Sequence, residues 1–264
     1  MPTVIKSVFI CISLWHISVQ ACDLKEPLVS LSGPLTMVLE ELDLLQSKKL
    51  KAISTFHPIA KKTNARMIAG GVFLSNKELA TFKNSLVYYD KSFELKKLFE
   101  SAKLEAYSIS SVGKDSFAFS SEVINVVASL TEGCEEKVSL LKKKIGKIQN
   151  SLLTEFNHKK IIFFVGEITT KLPELVMVHD GPMLFLKEHE LVKTYPSELA
   201  YVNWSQREIK KMKDFLQIGL ADGKGDKLVK EHLKEQKWNL KYRGVFIPGI
   251  RQVFFLRDLS RLSF

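Results

Sequence analysis

The chain has 264 residues, 45% of them hydrophobic, and a formal net charge of +10. This size and apolar content are enough to bury one large core or two small ones. The lysines are spread as pairs and triplets along helix-like segments, with no nucleic-acid-binding motif beside them. The charge therefore indicates a solvated basic surface and no nucleic-acid partner.

The first 21 residues have the features of a signal peptide. They carry one lysine, then an apolar run from Val8 to Ile17, then "VQA" before Cys22. The run is too short to span a bilayer, and "VQA" suits a signal peptidase. We therefore expect residues 1–21 to be removed and the mature protein to be exported to the periplasm.

The sequence does not decide whether Cys22 carries a lipid. "VQAC" is close to a bacterial lipobox, in which the cysteine becomes the lipidated first residue, although Gln20 stands where a small residue is usual. A lipid anchor at Cys22 on the inner membrane and a free periplasmic protein both remain possible. With Cys11 removed, Cys22 and Cys134 allow at most one disulfide, which excludes a disulfide-rich scaffold.

The segment that follows Cys22 predicts a strand, a turn and a helix. Ser32 is a suitable N-cap, and Pro34 falls in the first turn, where its missing N–H costs nothing. Leu35, Val38 and Leu42 continue at helical spacing. The next elements are a strand ("LKAIST"), a turn with two glycines ("ARMIAGGVFLS"), a short helix ("NKELATFKNS"), a strand ("SLVYY"), an amphipathic helix ("KSFELKKLFESAK") and a strand ("LEAYSIS"). This alternation predicts a small parallel sheet covered by helices.

Helical periodicity dominates the middle of the chain. "SSEVINVVASLTEG" predicts a helix that ends at Gly133. "EEKVSLLKKKIGKIQNSLLTEF" places Val138, Leu141, Ile145 and Ile148 at spacings of three and four residues. That spacing predicts one helix of about 22 residues, roughly 33 Å long. A helix of this length can link two lobes.

Strand–helix alternation restarts after the long helix. Strands are predicted for "KKIIFFVG", "FLQIGLAD" and "RGVFIPG", and helices for "PMLFLKEHELV", "SQREIKKMKD", "KGDKLVKEHLKEQ" and "RQVFFLRDLSRL". The predicted fold class is α/β with two lobes, each a small mainly parallel sheet flanked by helices, joined by one long rigid helix. The predicted boundaries are a signal peptide over 1–21, a first lobe over 22–133, a connecting helix over 134–157 and a second lobe over 158–264.

Motifs for catalysis are absent from the sequence. It contains no GxSxG, no HExxH, no Walker A motif and no GxGxxG after a strand. Cys134 lies at a predicted helix start, but no catalytic partner motif accompanies it. We therefore predict a protein that is not an enzyme and carries no cofactor.

Four segments, taken in their order and spacing, carry a family resemblance. They are "LVSLSGPLTMVLEELDL", "GGVFLSNKELATFKNSLVYYD", "YVNWSQREIKKMKDFLQIGLAD" and "FIPGIRQVFFLRDL". Together they resemble the helical-backbone substrate-binding proteins of bacterial ABC importers, which include receptors for vitamin B12, siderophores, haem and some metals. The chain has "KNSLV" where the family has "KPDLV", and "KDF" where it has "DPD", so the resemblance is to a divergent member.

The resemblance implies a ligand held between the two lobes. Its cleft is lined by loops at the carboxyl ends of the strands, in agreement with the general rule for open α/β sheets. The residues that fall on such loops, or at the ends of such strands, are the candidates for ligand binding. They are Phe56, His57, Tyr88, Tyr89, Asp90, Glu167, His179, Asp180, Trp204, Phe246 and Arg251.

His57, in "STFHPIA", has three interpretations. With two or three of Glu167, His179 and Asp180 it would form a zinc, manganese or iron site, since neutral imidazole ligates all three metals. It could instead touch an organic ligand in the cleft wall, or be a structural histidine. The sequence has no HxH or HxxxH pair to strengthen the metal interpretation.

The aromatic candidates are constrained by their elements. Tyr88 and Tyr89 are adjacent on one strand and must point to opposite faces, so one of them belongs to the core. Trp204 is predicted at the start of a helix, where an exposed tryptophan is uncommon unless it meets a ligand.

Glu78 and Glu208 each lie on a predicted short surface helix, one in each lobe. They match the positions at which the family's glutamates pair with arginines of the membrane permease. Such a contact is strong and oriented when the arginine binds the carboxylate through two hydrogen bonds. The alternative is that both are ordinary solvated glutamates.

These features together predict an exported, monomeric solute-binding protein. It would capture a small ligand, such as a cobalamin-like or siderophore-like chelate, and deliver it to the permease of an inner-membrane ABC importer. One alternative is a receptor of the same fold for a bare zinc, manganese or iron ion. The other is a cell-envelope interaction protein that keeps the fold and has lost transport.

Overall fold

Strands and helices alternate along most of the chain. The structure is a computed structural model that describes residues 21–57, 59–69, 74–91, 93–155, 159–168, 173–178, 182–193, 201–204, 216–220, 238–239 and 249–261. The strands up to residue 155 are β1 (Asp23–Leu24), β2 (Leu28–Leu31), β3 (Leu50–Ser54), β4 (Arg66–Ile68), β5 (Leu86–Asp90), β6 (Ala106–Ile109) and β7 (Thr131–Glu132). The helices there are α1 (Gly33–Glu41), α2 (Asn76–Ala80), α3 (Phe93–Ser101), α4 (Ser116–Ser129) and α5 (Glu135–Glu155), and a 3₁₀ turn spans Leu44–Gln46.

A five-stranded parallel sheet organises this first part. Its strand order is β4-β3-β2-β5-β6, and every pairing is parallel, which confirms the predicted sheet. Ser32 caps α1 as predicted, because its side chain accepts the Leu35 N–H at 3.5 Å, and Pro34 lies in the first turn. Parallel pairing brings the carboxyl ends of all five strands to one edge of the sheet.

Side chains alternate between the two faces of this sheet and feed two cores. On β2, Leu28 joins a large core shared with α1, α4 and α5, whereas Val29 joins a smaller core under α2 and α3. On β5, Leu86 and Tyr88 face the large core and Tyr89 faces the small one. Helices therefore cover both faces, as the α/β prediction requires.

The helix predicted to end at Gly133 ends earlier. Asp115 is its N-cap and accepts the N–H groups of Phe117 and Ala118 at 2.7 and 3.1 Å. The helix stops at Ser129 because the next residues form β7, which pairs antiparallel with β1. Gly133, with φ of 66°, follows β7 and does not cap α4.

The long helix is confirmed. α5 is one continuous element of 21 residues, which corresponds to about 31 Å at 1.5 Å per residue. Its apolar residues at spacings of three and four are buried against the large core. None of the described helices is both long enough and apolar enough to cross a membrane.

The second sheet is mixed. Its described strands are β8 (Lys159–Ile168), β9 (Pro173–Val178), β10 (Val192–Lys193), β11 (Tyr201–Trp204), β12 (Leu216–Leu220) and β13 (Trp238–Asn239), and the helices are α6 (Pro182–Glu188) and α7 (Ile250–Ser260). The order is β11-β9-β8-β12-β13, with β10 beside β8. β12 and β10 run parallel to β8, whereas β9 is antiparallel to both β8 and β11.

Four strands of this sheet, β9, β10, β11 and β13, were not predicted, and Val192 of β10 lies in the segment predicted as the end of a helix. β9 and β11 form an antiparallel pair in which Trp204 stands opposite Leu175. Trp204 is therefore the last residue of a strand that the sequence analysis did not predict. The helices predicted for "SQREIKKMKD" and "KGDKLVKEHLKEQ" lie outside the described residues.

The last helix packs against the first part of the chain. α7 contacts α1, α4, α5 and α6, and its residues Val253 and Leu256 are fully buried in the large core. Phe185 of α6 packs against Phe117 of α4, with ring centroids 4.4 Å apart and the rings tilted by 52°. The predicted domain boundaries stay a prediction, but this core joins helices from both sides of α5.

Cys22 and Cys134 form a disulfide. The bond joins the residue before β1 to the residue before α5, and it occupies the sulfur that lipidation of Cys22 would need. The sequence allowed at most one disulfide, and the structure forms it. This pairing conflicts with the interpretation of Cys22 as a lipidated residue.

Candidate ligand-binding site

A polar pair lies at the centre of the first sheet's carboxyl edge. Ser32, after β2, donates its hydroxyl to Asp90 Oδ1 at 2.7 Å, and the Gly33 N–H donates to Asp90 Oδ2 at 3.4 Å. Asp90 thus sits at the N-terminus of α1, where a negative charge is favourable. Loss of contact with water raises the pKa of Asp90, and the two hydrogen bonds oppose that rise. The structure brings this predicted site residue to the expected edge.

Exposed apolar side chains flank the polar pair. Phe56 follows β3 and is 65% exposed, and Val112 follows β6 and is 82% exposed. β3 and β6 lie on opposite sides of β2 and β5, which carry Ser32 and Asp90. Along the carboxyl edge of the sheet, the polar pair of Ser32 and Asp90 therefore lies between the apolar side chains of Phe56 and Val112. Sequence analysis missed Val112, although an apolar residue before Gly113 in a loop after a strand was the available signal.

His57 turns into the protein. It is 8% exposed, and its Nδ1 lies 2.8 Å from the Thr36 hydroxyl of α1. Burial lowers the pKa of His57 to about 4, against the opposing effect of a hydrogen bond with the Leu31 backbone. The ring is neutral at pH 7 and holds the loop after β3 against α1. This placement supports the structural interpretation and gives no support to ligand or metal contact.

The tyrosine pair divides as its strand predicts. Tyr89 is 4% exposed and packs on Phe99 of α3, with centroids 4.9 Å apart, so it is the member of the pair that belongs to the core. Tyr88 points to the other face and stacks on Tyr107, with centroids 5.2 Å apart. Partial burial raises the pKa of Tyr88.

A buried carboxylate, Glu40, fixes the loop that follows His57. Its Oε1 accepts the backbone N–H groups of Ala60 and Lys61 at 2.6 and 2.7 Å, and its Oε2 pairs with Arg251 of α7 at 2.8 Å. Arg251, predicted as a ligand contact, is instead engaged in this nearly buried ion pair, with 14% of its side chain exposed. No local sequence pattern predicts a pair of residues separated by 211 positions.

Glu78 lies on the short helix α2, as predicted. Its Oε2 accepts from the N–H and hydroxyl of Ser75, which closes a capping box, and its Oε1 lies 3.5 Å from Arg66 Nη2. The side chain is 24% exposed. Glu78 is therefore a partly covered carboxylate with partners inside the protein, unlike the freely solvated residue of the sequence-based alternative.

Of the remaining predicted residues, two lie in described strands and four lie outside the described residues. Glu167 lies in β8 and Trp204 in β11, where the backbone alone is described. Among the residues that the structure describes, no group of three or more histidine, cysteine, aspartate or glutamate side chains could hold a metal ion. His179, Asp180, Glu208 and Phe246 lie outside the described residues.

Comparison with known proteins gives a fold match and no sequence match. No family model and no curated protein matches the chain. The periplasmic vitamin B12-binding protein BtuF of Vibrio cholerae superposes with a TM-score of 0.61 at 15% identity, covering 91% of this chain and 100% of that one. The periplasmic haem-binding protein HutB of Vibrio cholerae gives 0.64 at 12% identity, covering 89% and 97%. The siderophore-binding protein FhuD of Vibrio cholerae gives 0.62 at 10% identity, covering 89% and 96%.

These similarities establish the fold. The described α/β architecture is that of two-lobed substrate-binding proteins of ABC transporters, which confirms the predicted fold class. The three structures named above are binding proteins for vitamin B12, haem and a siderophore.

Proposed function

We propose that this chain is an exported solute-binding protein that captures a small organic ligand or chelate between two lobes and delivers it to an ABC importer. The observation that carries the proposal is the fold match, which extends over about nine-tenths of the chain to binding proteins for haem, vitamin B12 and a siderophore. The predicted signal peptide supports a periplasmic location. The protein acts as a monomer in this proposal.

The exposed edge of the first sheet favours an organic ligand over a bare ion. A bare metal ion needs several converging oxygen, nitrogen or sulfur ligands. The described edge instead offers Phe56 and Val112 on either side of Ser32 and Asp90, which suits a ligand with apolar surface and one polar group. His57 is turned toward Thr36 and is poorly placed to ligate.

A binding screen tests the proposal. Titration calorimetry of the purified protein with cobalamin, haemin and a ferric hydroxamate siderophore should yield one-to-one binding for at least one of them. Zinc, manganese and iron salts form the second arm of the screen. Tight binding of a bare ion together with no organic binding would replace the proposal by the metal-receptor alternative.

Phe56→Ser is expected to weaken ligand binding without weakening the fold. The side chain is 65% exposed, so its loss removes little buried surface and should change stability by under about 0.5 kcal/mol. An aromatic anchor in a binding site contributes about 2 kcal/mol, so the affinity should fall roughly thirtyfold. Calorimetry and thermal unfolding measure the two effects.

Leu153→Ser is the matched control for Phe56→Ser. Leu153 is also exposed, at 42%, but lies on α5, which carries none of the candidate ligand-binding residues. The Leu153→Ser variant should keep the wild-type ligand affinity and the wild-type melting temperature. Equal affinity for the Phe56 variant and the control would remove Phe56 from the site.

Glu78→Gln is expected to weaken docking to the permease. The amide keeps an oxygen for the Ser75 N–H, so α2 should remain capped, while the charge that would attract a permease arginine is lost. A charged hydrogen bond contributes about 1.5–3 kcal/mol, which corresponds to at least a tenfold loss of affinity for the permease.

Receptor-stimulated ATPase activity of the reconstituted importer measures this loss. Glu105→Gln is the control, because Glu105 is also exposed and bonded to a neighbouring side chain, Tyr107. Full stimulation by the Glu78 variant would make Glu78 a helix-capping residue and nothing more.

A further inference from the structure

The disulfide between Cys22 and Cys134 encloses the whole first sheet. The two cysteines are 112 positions apart in sequence, and β1 to β7 and α1 to α4 all lie between them. Their Cα atoms are 4.5 Å apart. The bond therefore closes the first lobe, from its first residue to the start of α5, into one covalent ring.

The chain is fixed to the protein from the residue after Cys22 onward. Asp23 and Leu24 pair with Glu132 and Thr131 as β1 and β7, and Leu24 is fully buried. The N–H of Lys25 donates to the Leu130 carbonyl at 2.8 Å. Cys22 itself is partly buried against the large core. No length of free chain separates Cys22 from the folded lobe.

We propose that Cys22 is a structural disulfide partner and not a lipid attachment site, so that the mature receptor carries no lipid anchor on this residue. The inference rests on the export that the proposed function assumes. A lipidated cysteine carries a diacylglyceryl group through a thioether bond to this same sulfur, and one sulfur cannot form both that bond and a disulfide. An acylated Cys22 would also hold the lobe directly against the bilayer, because an extended residue spans at most about 3.6 Å and none is free here.

The chemistry of closure requires an oxidising compartment. Each thiol loses its proton, the two sulfurs form one bond, and the two electrons pass to a protein disulfide oxidant of the cell envelope, whose own disulfide is reduced to two thiols. Disulfides persist in the periplasm and are rare in the cytosol. The bond therefore forms after export, when the first lobe folds.

Intact mass spectrometry of the full-length gene product, taken from the envelope of a Gram-negative host, tests the assignment. The proposal predicts a water-soluble species that is lighter by two hydrogen atoms before reduction than after it, with no reactive thiol. A species with an acyl mass on Cys22 would overturn the proposal, and so would an unmodified species with two free thiols. Ligand binding does not enter this readout, so a receptor that bound no ligand would leave the result intact.

Thermal unfolding tests the ring itself. Closing a loop of about 100 residues should raise the melting temperature by something on the order of 10 °C. Cys22→Ser, Cys134→Ser and the double variant should all lose this amount equally, because each removes the same bond. Dithiothreitol should lower the wild-type melting temperature to the same value and leave the three variants unchanged. A Cys22→Ser variant as stable as the oxidised wild type would contradict the ring. So would a double variant whose drop in melting temperature equals the sum of the drops in the two single variants.

Discussion

Glu40→Ala is expected to lower the free energy of unfolding by about 3–5 kcal/mol, because removing one partner of a buried ion pair leaves the other charge without compensation. Glu40 is 6% exposed and pairs with Arg251 at 2.8 Å. The same carboxylate accepts the N–H groups of Ala60 and Lys61, which lose their acceptor in the variant. Urea unfolding measures the difference.

Two further variants separate the charge from the packing. Glu40→Gln keeps an oxygen for the backbone N–H groups and loses the charge, so it should fall between wild type and Glu40→Ala. Glu41→Gln is the matched control, since the neighbouring Glu41 forms a partly exposed pair with Lys144 at 3.6 Å. Surface pairs contribute about 0–1 kcal/mol. If Glu40→Ala lowers the free energy of unfolding no more than Glu41→Gln does, then Glu40 does not hold α1, the loop at Ala60 and Lys61, and α7 together.

Acidification from pH 7 to pH 4 is expected to remove about 3 kcal/mol of stability through His57 alone. The unfolded chain binds a proton at His57 near pH 6.5, whereas burial lowers the folded pKa to about 4. The unfolded state therefore gains a proton first, and stability that is complete above pH 6.5 is lost as the pH falls toward 4. Each unit of pKa difference corresponds to about 1.4 kcal/mol.

His57→Gln isolates this effect. Glutamine retains a polar group near Thr36 but does not titrate, so its stability should decline less between pH 7 and pH 4 than that of wild type. His189→Gln is the control for the loss of a histidine side chain, because His189 is exposed. Chemical unfolding at each pH gives the curves. Parallel curves for wild type and the His57 variant would mean that the ring is not buried in the neutral form.

Local sequence signals identified four of the five strands of the first sheet, all but β4, but did not identify β9, β10, β11 or β13 of the second. Ser32 and Pro34 fix the start of α1 through contacts within one turn, so the pattern sufficed. β9 and β11 are stabilised by pairing with each other, and this pairing between separate segments is not visible in the local pattern of either one. "YVNW" has the aromatic and β-branched composition of a strand, but it directly precedes a segment with helical periodicity.

The candidate site was predictable to the same extent. The positions of Phe56 and Asp90 follow from strand ends, which the sequence located. The burial of His57 depends on Thr36, 21 residues away, and the role of Arg251 depends on Glu40, 211 residues away. Contacts over such distances are set by how helices pack on the sheet, which no local spacing records.

Native mass spectrometry of the protein purified from its own periplasm tests the central claim most directly. We expect a fraction of molecules to carry one small organic ligand or chelate, with a mass shift that disappears on denaturation. The Phe56→Ser protein, purified in the same way, should carry less of it, and the Leu153→Ser protein should carry as much as wild type. A bound metal ion with no organic mass, or protein that never carries a ligand, would contradict the account.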